Sequence, residues 1–128
     1  MAKKKVFCSF DYDKDKHLKG ALVSQAKSTG SPFSVNDFSL LEAQPEKEWL
    51  SKAQGRIAKC DVFIVLLGRK THRASGVLKE VNIAKGLRKD RFQLRPQGKR
   101  NENNVPIPGA GDVIVWKWKN LNNRLYHQ

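Results

Sequence analysis

The feature that most constrains this chain is the run from Asp61 to Leu67, DVFIVLL. It is almost wholly apolar, rich in Val, Ile and Phe, and closed by Gly68. A strand reads this way when it is covered on both faces, because a half-exposed strand would alternate with polar residues. Such a strand belongs at the centre of a parallel sheet, and parallel strands are joined by crossover helices. The next segment supplies one. After a polar loop holding Arg69, Lys70, His72 and Arg73, a helix is expected from near Ser75 or Gly76, both acceptable N-caps, to about Leu87, with Glu80 in its first turn.

On a helix that advances about 100° per residue, Val77, Ile83, Ala84 and Leu87 fall within about 60° of Glu80, and Val81 at about 100°. The carboxylate therefore sits midway across the face that packs on the sheet. An unpaired buried charge costs several kcal/mol, so such a group is paired, protonated or turned to a cleft. In an open α/β sheet the cleft lies beyond the carboxyl ends of the strands, beside the helix N-termini. Glu80 is thus the first candidate for chemistry. Two structural roles compete with that reading: an acid complementing the helix dipole, and a partner for one of the many Arg and Lys residues. A capping box does not explain it, because three residues after Ser75 stands Leu78 and three after Gly76 stands Lys79.

Lys and Arg number 25 against 12 Asp and Glu, a formal charge of +13. That excess invites a polyanion. Yet the basic residues are dispersed, with short runs only at Lys3 to Lys5, Arg88 to Arg91 and Lys99-Arg100, and lack the aromatic interleaving of single-strand binders. A phosphorylated small ligand or an acidic partner meets the same charge, and a direct nucleic-acid role is not expected. Cys8 and Cys60 form no CxxC pair and His17, His72 and His127 are far apart, so no metal site is expected. The cysteines read as buried free thiols of a reducing compartment. With no apolar signal core and no run of membrane-spanning length, a cytoplasmic protein of one domain, residues 1–128, is expected.

In chain order, Val6 to Phe10 (VFCSF) reads as a first strand, and Leu18, Ala21, Leu22 and Ala26 recur at helical spacing from Lys16 to Lys27. Asp13 or Asp15 would cap that helix. Phe33 to Val35 reads as a brief edge strand, followed by a loop from Asn36 to Gln44 with Phe38, Leu40 and Leu41 exposed. Pro45 opens a second helix whose apolar face is Trp49, Leu50, Ala53 and Ile57, with Trp49 assigned to core packing. Arg91 to Leu94 is a fourth strand, residues 96–111 a long loop, Val113 to Trp118 a fifth strand and Leu121 to Tyr126 a last helix. Strands alternating with helices give an α/β, flavodoxin-like three-layer sandwich around a five-stranded, mainly parallel sheet.

Several uses of this architecture are excluded. There is neither a GxGxxG after the first strand nor a GxxxxGK[ST]. A phospho-receiver would find an acidic pair in Asp11 and Asp13 but no acceptor after the third strand, which ends Leu67-Gly68-Arg69-Lys70.

The blocks VFCSFDYDKD, SVNDFSLLEAQPEKEWL, CDVFIVLLGRKTHRASGVLKEVNIAKGL and RFQLRPQG together resemble the TIR-like domain family DUF1863, which includes the TIR subunits of Thoeris anti-phage defence. The resemblance runs from about Lys4 to Trp118. It implies that Glu80 is the glutamate that NAD-cleaving TIR domains require, and that Asn36 to Gln44 is the loop used for self-association. The usual aromatic-rich segment ahead of the glutamate is replaced here by His72-Arg73-Ala74-Ser75. The implied activity is cleavage of the nicotinamide-ribose bond of NAD, taken as substrate with no cofactor, to ADP-ribose or a cyclic ADP-ribose signal that reaches a separate effector protein. Phe10, Asp11, Asn36, Asp37 and Ser75 are the candidate substrate-binding residues beside Glu80. The competing reading is a non-catalytic interaction module assembling through the Asn36 to Gln44 loop.

Overall fold

The structure, a computed structural model, describes residues 3–39, 46–101 and 103–126. Five strands, β1 (Lys4–Ser9), β2 (Phe33–Phe38), β3 (Val62–Leu66), β4 (Asp90–Arg95) and β5 (Asp112–Val115), form one parallel sheet in the order β2-β1-β3-β4-β5. Between and after them come α1 (Lys16–Ala26), α2 (Glu46–Lys59), α3 (Ser75–Gly86) and α4 (Trp118–Tyr126). This is the flavodoxin-like order, and its direction changes between β1 and β3.

β3 is buried along its whole length. Val62, Ile64 and Leu66 join Val6, Cys8, Phe92 and Leu94 under α1 and α4, which contribute Leu22, Leu121 and Leu125. Phe63, Val65 and Leu67 face the other way, meeting Phe7 and, from α2 and α3, Ile57, Val77, Val81 and Ala84. Each such side chain contributes about 1.5–3 kcal/mol on burial, and the two apolar layers fix which helix lies on which face.

No α-helix joins β4 to β5 among the described residues, only one 3-10 turn at Lys99–Asn101; the loop between the strands is held by polar side chains instead. Gln93, buried in the middle of β4, donates to the carbonyls of Ile107 and Gly111 at 3.1 and 2.8 Å and accepts the Ile107 N–H at 2.7 Å. Asn104 donates to the Leu67 carbonyl at 2.7 Å. Ile107 and Ala110 thereby complete the apolar layer beside α3.

The structure departs from the sequence pattern at β2, at the junction of β5 with α4, and at the N-cap of α1. β2 continues past Val35 to Phe38, because a register shift opposite Val6 and Phe7 absorbs Asn36 as the extra residue of a bulge. β5 stops at Val115 instead of running to Trp118. The Trp116 N–H still bonds the Arg95 carbonyl, but its indole N–H donates to Gln25 on α1 at 2.7 Å and Lys117 turns back onto Val115. α4 therefore starts at Trp118, with Asn120 donating to the Val115 carbonyl at 3.0 Å. Finally, Asp15 stands at the α1 N-cap without capping it. Its carboxylate is drawn away to the Thr71 hydroxyl, at 3.1 Å, while Thr71 Oγ1 accepts the Gly68 N–H at 2.7 Å.

Two stability predictions follow from these contacts. At Gly111, φ is +89° and a Cβ would overlap the Arg91 carbonyl, whereas at Gly30, φ +78°, a Cβ would meet nothing. Gly30→Ala is expected to cost about 1 kcal/mol, the price of the backbone conformation alone, and Gly111→Ala about 3 kcal/mol or more in urea unfolding. At Asp15, burial lifts the carboxyl above its ordinary value of 3.8, with the Thr71 hydroxyl opposing. The folded state then holds that proton more tightly than the unfolded one, so this group's contribution is greatest below 3.8 and is lost as pH rises through the raised value. Asp15→Asn is expected to gain stability on the parent as pH is raised across the acid range; a constant difference in urea midpoint would contradict this.

Candidate active site

Alternation along β1 points Ser9 to the same side as Phe7, toward α2 and α3. Ser39 follows β2 directly, and α3 carries Glu80 across both strand ends. Glu80 Oε1 accepts the Ser9 hydroxyl at 2.7 Å and the Ser39 hydroxyl at 2.5 Å. Ser39 Oγ in turn accepts the Phe10 N–H at 3.0 Å. Glu80 is only 1% exposed. It lies in the second turn of α3, since the first turn holds no acid, which removes the helix-dipole role considered above. Two hydroxyl donors on one oxygen fix the direction of this buried carboxyl group.

Glu80 lines a cleft of about 540 Å³ at the carboxyl ends of the strands. Phe10, Asp11 and Ser39 bound it from the β1 and β2 ends, Trp49 from α2, and Ser75 and Gly76 from the start of α3. Lys14, Lys70 and Arg73 bring positive charge to it, and Asp11 and Asp13 negative charge. Phe10 and Tyr12 stack with ring centroids 6.0 Å apart, and Lys16 Nζ sits 4.5 Å from the Tyr12 ring centroid. Beneath the cleft, burial drives the Cys8 thiol far above its usual range, reinforced by the charge on Glu80 and opposed by Lys19. Cys8 is therefore held as a thiol, unsuited to act as a nucleophile.

Of the residues named from the sequence, Phe10, Asp11, Ser75 and Glu80 come together at this cleft. Asn36 and Asp37 do not. They line a separate depression with Lys5 and Lys59, and Asp37 pairs with Arg56 of α2 at 3.1 Å. The bulge is the cause: it carries β2 onward, so that Ser39 and not Asn36 reaches the strand end. Residues 40–45, and with them Leu40, Leu41 and most of the Asn36 to Gln44 loop, lie outside the described residues. Phe38, at the near side of that loop, is 36% exposed, with Lys19 Nζ 4.5 Å from its ring centroid.

Sequence reasoning missed Ser9, Ser39 and the second surface of Trp49. Ser9 left a signal, a lone hydroxyl inside the apolar VFCSF run; Ser39 left none, because its place depends on the bulge. Among the described residues, no group of three or more His, Cys, Asp or Glu is arranged to hold a metal ion, and no helix is long and apolar enough to cross a membrane.

The family described as the TIR-like domain of the Thoeris protein ThsB matches residues 7–101. No curated protein matches the chain. Among solved structures, it is similar to a CMP N-glycosidase of Clostridium botulinum, BcmB, with a TM-score of 0.58 and 18% identity over 95% of this chain and 97% of that one. At that identity the likeness is one of fold. The family match begins within β1, runs past β4 and includes Ser9, Ser39 and Glu80, and on that ground the chain belongs to the ThsB TIR-like domain family.

Proposed function

We propose that this chain cleaves the N-glycosidic bond of a nucleotide, with NAD as substrate, nicotinamide as leaving base and Glu80 as the catalytic residue. The observation that carries the reading is the Glu80 carboxylate, fixed by Ser9 and Ser39 in the wall of a cleft at the strand ends. As the bond between ribose C1′ and the pyridinium nitrogen breaks, its electron pair goes to the nitrogen and positive charge develops on the ribose ring. Nicotinamide leaves neutral, so no acid is needed to expel it. A carboxylate already oriented in a sheltered wall stabilises the developing cation without reorganising. Phe10 and Trp49 offer apolar surface to the base, and Asp11 and Ser75 offer polar groups to the ribose.

The bond then forms from C1′ either to water, giving ADP-ribose, or to a nitrogen of the adenine, giving a cyclic ADP-ribose signal. Membership of a Thoeris family supports the second course, with the product acting on a separate effector in anti-phage defence. Self-association through the Asn36 to Gln44 loop belongs to the same reading. The similarity of fold to a CMP N-glycosidase supports the bond class and raises a second substrate, a pyrimidine nucleotide, whose base would leave with negative charge and need a proton.

Concentrated protein incubated with NAD, and separately with CMP, is expected to release nicotinamide and not cytosine, followed by mass spectrometry. Glu80→Gln is expected to lower the rate by about 10³-fold or more, and Ser39→Ala by about 10²-fold through kcat with KM little changed, the scale of losing one oriented electrostatic group. Cytosine release alone would reassign the substrate. Silence from the parent protein, also when forced to assemble, would leave the interaction module.

A further inference from the structure

Along the chain the basic residues are dispersed, but the fold gathers five of them at one edge of the sheet. Arg95 closes β4, Lys99 and Arg100 lie in the 3-10 turn after it, and Lys117 and Lys119 flank Trp118 where β5 gives way to α4. The two segments are tied together. The Trp116 N–H bonds the Arg95 carbonyl at 2.8 Å, Gln97 donates to the Trp116 carbonyl at 2.8 Å, and Asn101 donates to the Gln97 carbonyl at 2.8 Å. Neither segment, 91–101 or 113–126, contains an acid. Lys99, Arg100, Lys117 and Lys119 are exposed and form no ion pair among the described residues, so their charge is left for a ligand.

Trp116-Lys117-Trp118-Lys119 alternates aromatic and basic residues. In a continuous strand both indoles would share a face, and the turn into α4 separates them. Trp116 is buried and bonded to Gln25, whereas Trp118 is 37% exposed with a lysine on either side in the chain. Lys117 also lines a cavity of about 370 Å³ with Arg95 and Lys99, walled by the apolar side chains of Pro96 and Val115. Neither Lys14 nor Lys70, which line the Glu80 cleft and the cavity next to it, borders this one.

We infer that this edge of the sheet binds single-stranded nucleic acid, with phosphates on Lys99, Lys117 and Lys119, one base in the cavity and a neighbouring base on the exposed ring of Trp118. Single strands offer both things the surface is shaped for: regularly spaced negative charge, and flat bases free to stack on an aromatic ring. A duplex hides the faces of its bases. An acidic peptide would use the cations and leave the indole and the apolar walls idle, and a lipid surface would need its apolar contacts on a projecting face, where here they line a hollow. The volume suits one base, being within the roughly 300–1,000 Å³ of small-molecule sites. The inference is independent of the glycosidase reading, since the cavity shares no lining residue with the cleft at Glu80.

The test is fluorescence anisotropy of a short, labelled, mixed-sequence single-stranded oligonucleotide titrated with the full chain over a range of salt concentrations. Trp118→Ala is expected to weaken binding about tenfold, the scale of one base stacked on an aromatic side chain. Trp118→Leu should lose as much and Trp118→Phe little, which separates stacking from packing; the urea midpoint of each variant checks the fold. Lys117→Ala with Lys119→Ala should reduce the slope of log affinity against log salt by about 1.4, at about 0.7 for each phosphate contact on a single strand. Lys27→Ala with Lys52→Ala, two cations away from this edge, should change affinity less than twofold. The inference is overturned if Trp118→Leu binds as the parent does, if the Lys27 and Lys52 pair costs as much as the Lys117 and Lys119 pair, or if no oligonucleotide binds at low salt. It is equally overturned if duplex, polyglutamate or phosphatidylserine vesicles bind as tightly as the single strand.

Discussion

A carboxylate buried on the sheet-facing side of α3 sets the terms for the molecule's working end. Burying such a group is costly unless polar partners replace water, and here two serine hydroxyls do so from adjacent strand ends. For both to point at one oxygen, β1 and β2 must finish level and in phase. They would not do so on an unbroken ladder. Val6 pairs with Val35, so without the bulge Asn36 would lie opposite Phe7 and Phe38 opposite Ser9. With Asn36 absorbed as an extra residue, Phe7 pairs with Asp37 and Cys8 with Phe38, and Ser39 comes level with Ser9. A one-residue shift inverts every side chain that follows it. The bulge therefore decides whether α3 meets a hydroxyl or a phenyl ring at Glu80.

The second constraint is the contact of Asp15 with Gly68 and Thr71. It joins the first turn of α1 to the end of the central strand, at the place where the sheet order changes direction. Open α/β folds bind ligands at that switch point because the flanking loops diverge there. Two cavities lie at this end of the sheet, and Lys14 and Lys70, next to the bridged residues, line both.

Much of this was legible in the sequence because it rests on periodicity. The apolar run from Asp61 to Leu67 fixed a two-sided central strand, and the helical spacing around Glu80 placed its carboxylate inward; both are local patterns. What escaped was non-local. Asn36 and Asp37 were placed at the strand end because the second strand was read as stopping at Val35, but the bulge carries the strand past them and Arg56 pairs with Asp37. Trp116 and Trp118 alternate as a strand would, yet Gln25, ninety-one residues away from Trp116, captures one indole and the chain turns into α4. Asp15 looked like an N-cap, and a threonine fifty-six residues distant claimed it. In each case a polar side chain chose a partner far along the chain over its local option.

The distribution of charge follows from the same economy. A chain with a formal charge of +13 could line every cleft with cations, and a phosphate would bind. A transition state carrying positive charge on its ribose would then be opposed by the same groups that hold its phosphate. The cleft instead sorts the two signs by position. Glu80, the buried acid of the cleft, lies against the sheet, while Lys14, Lys70 and Arg73, which line the same cleft, are exposed. On the function proposed above, binding energy drawn from the substrate's phosphates would hold the ribose against a carboxylate that favours it only as it becomes cationic. The surplus of lysine and arginine elsewhere adds to long-range attraction for anionic ligands.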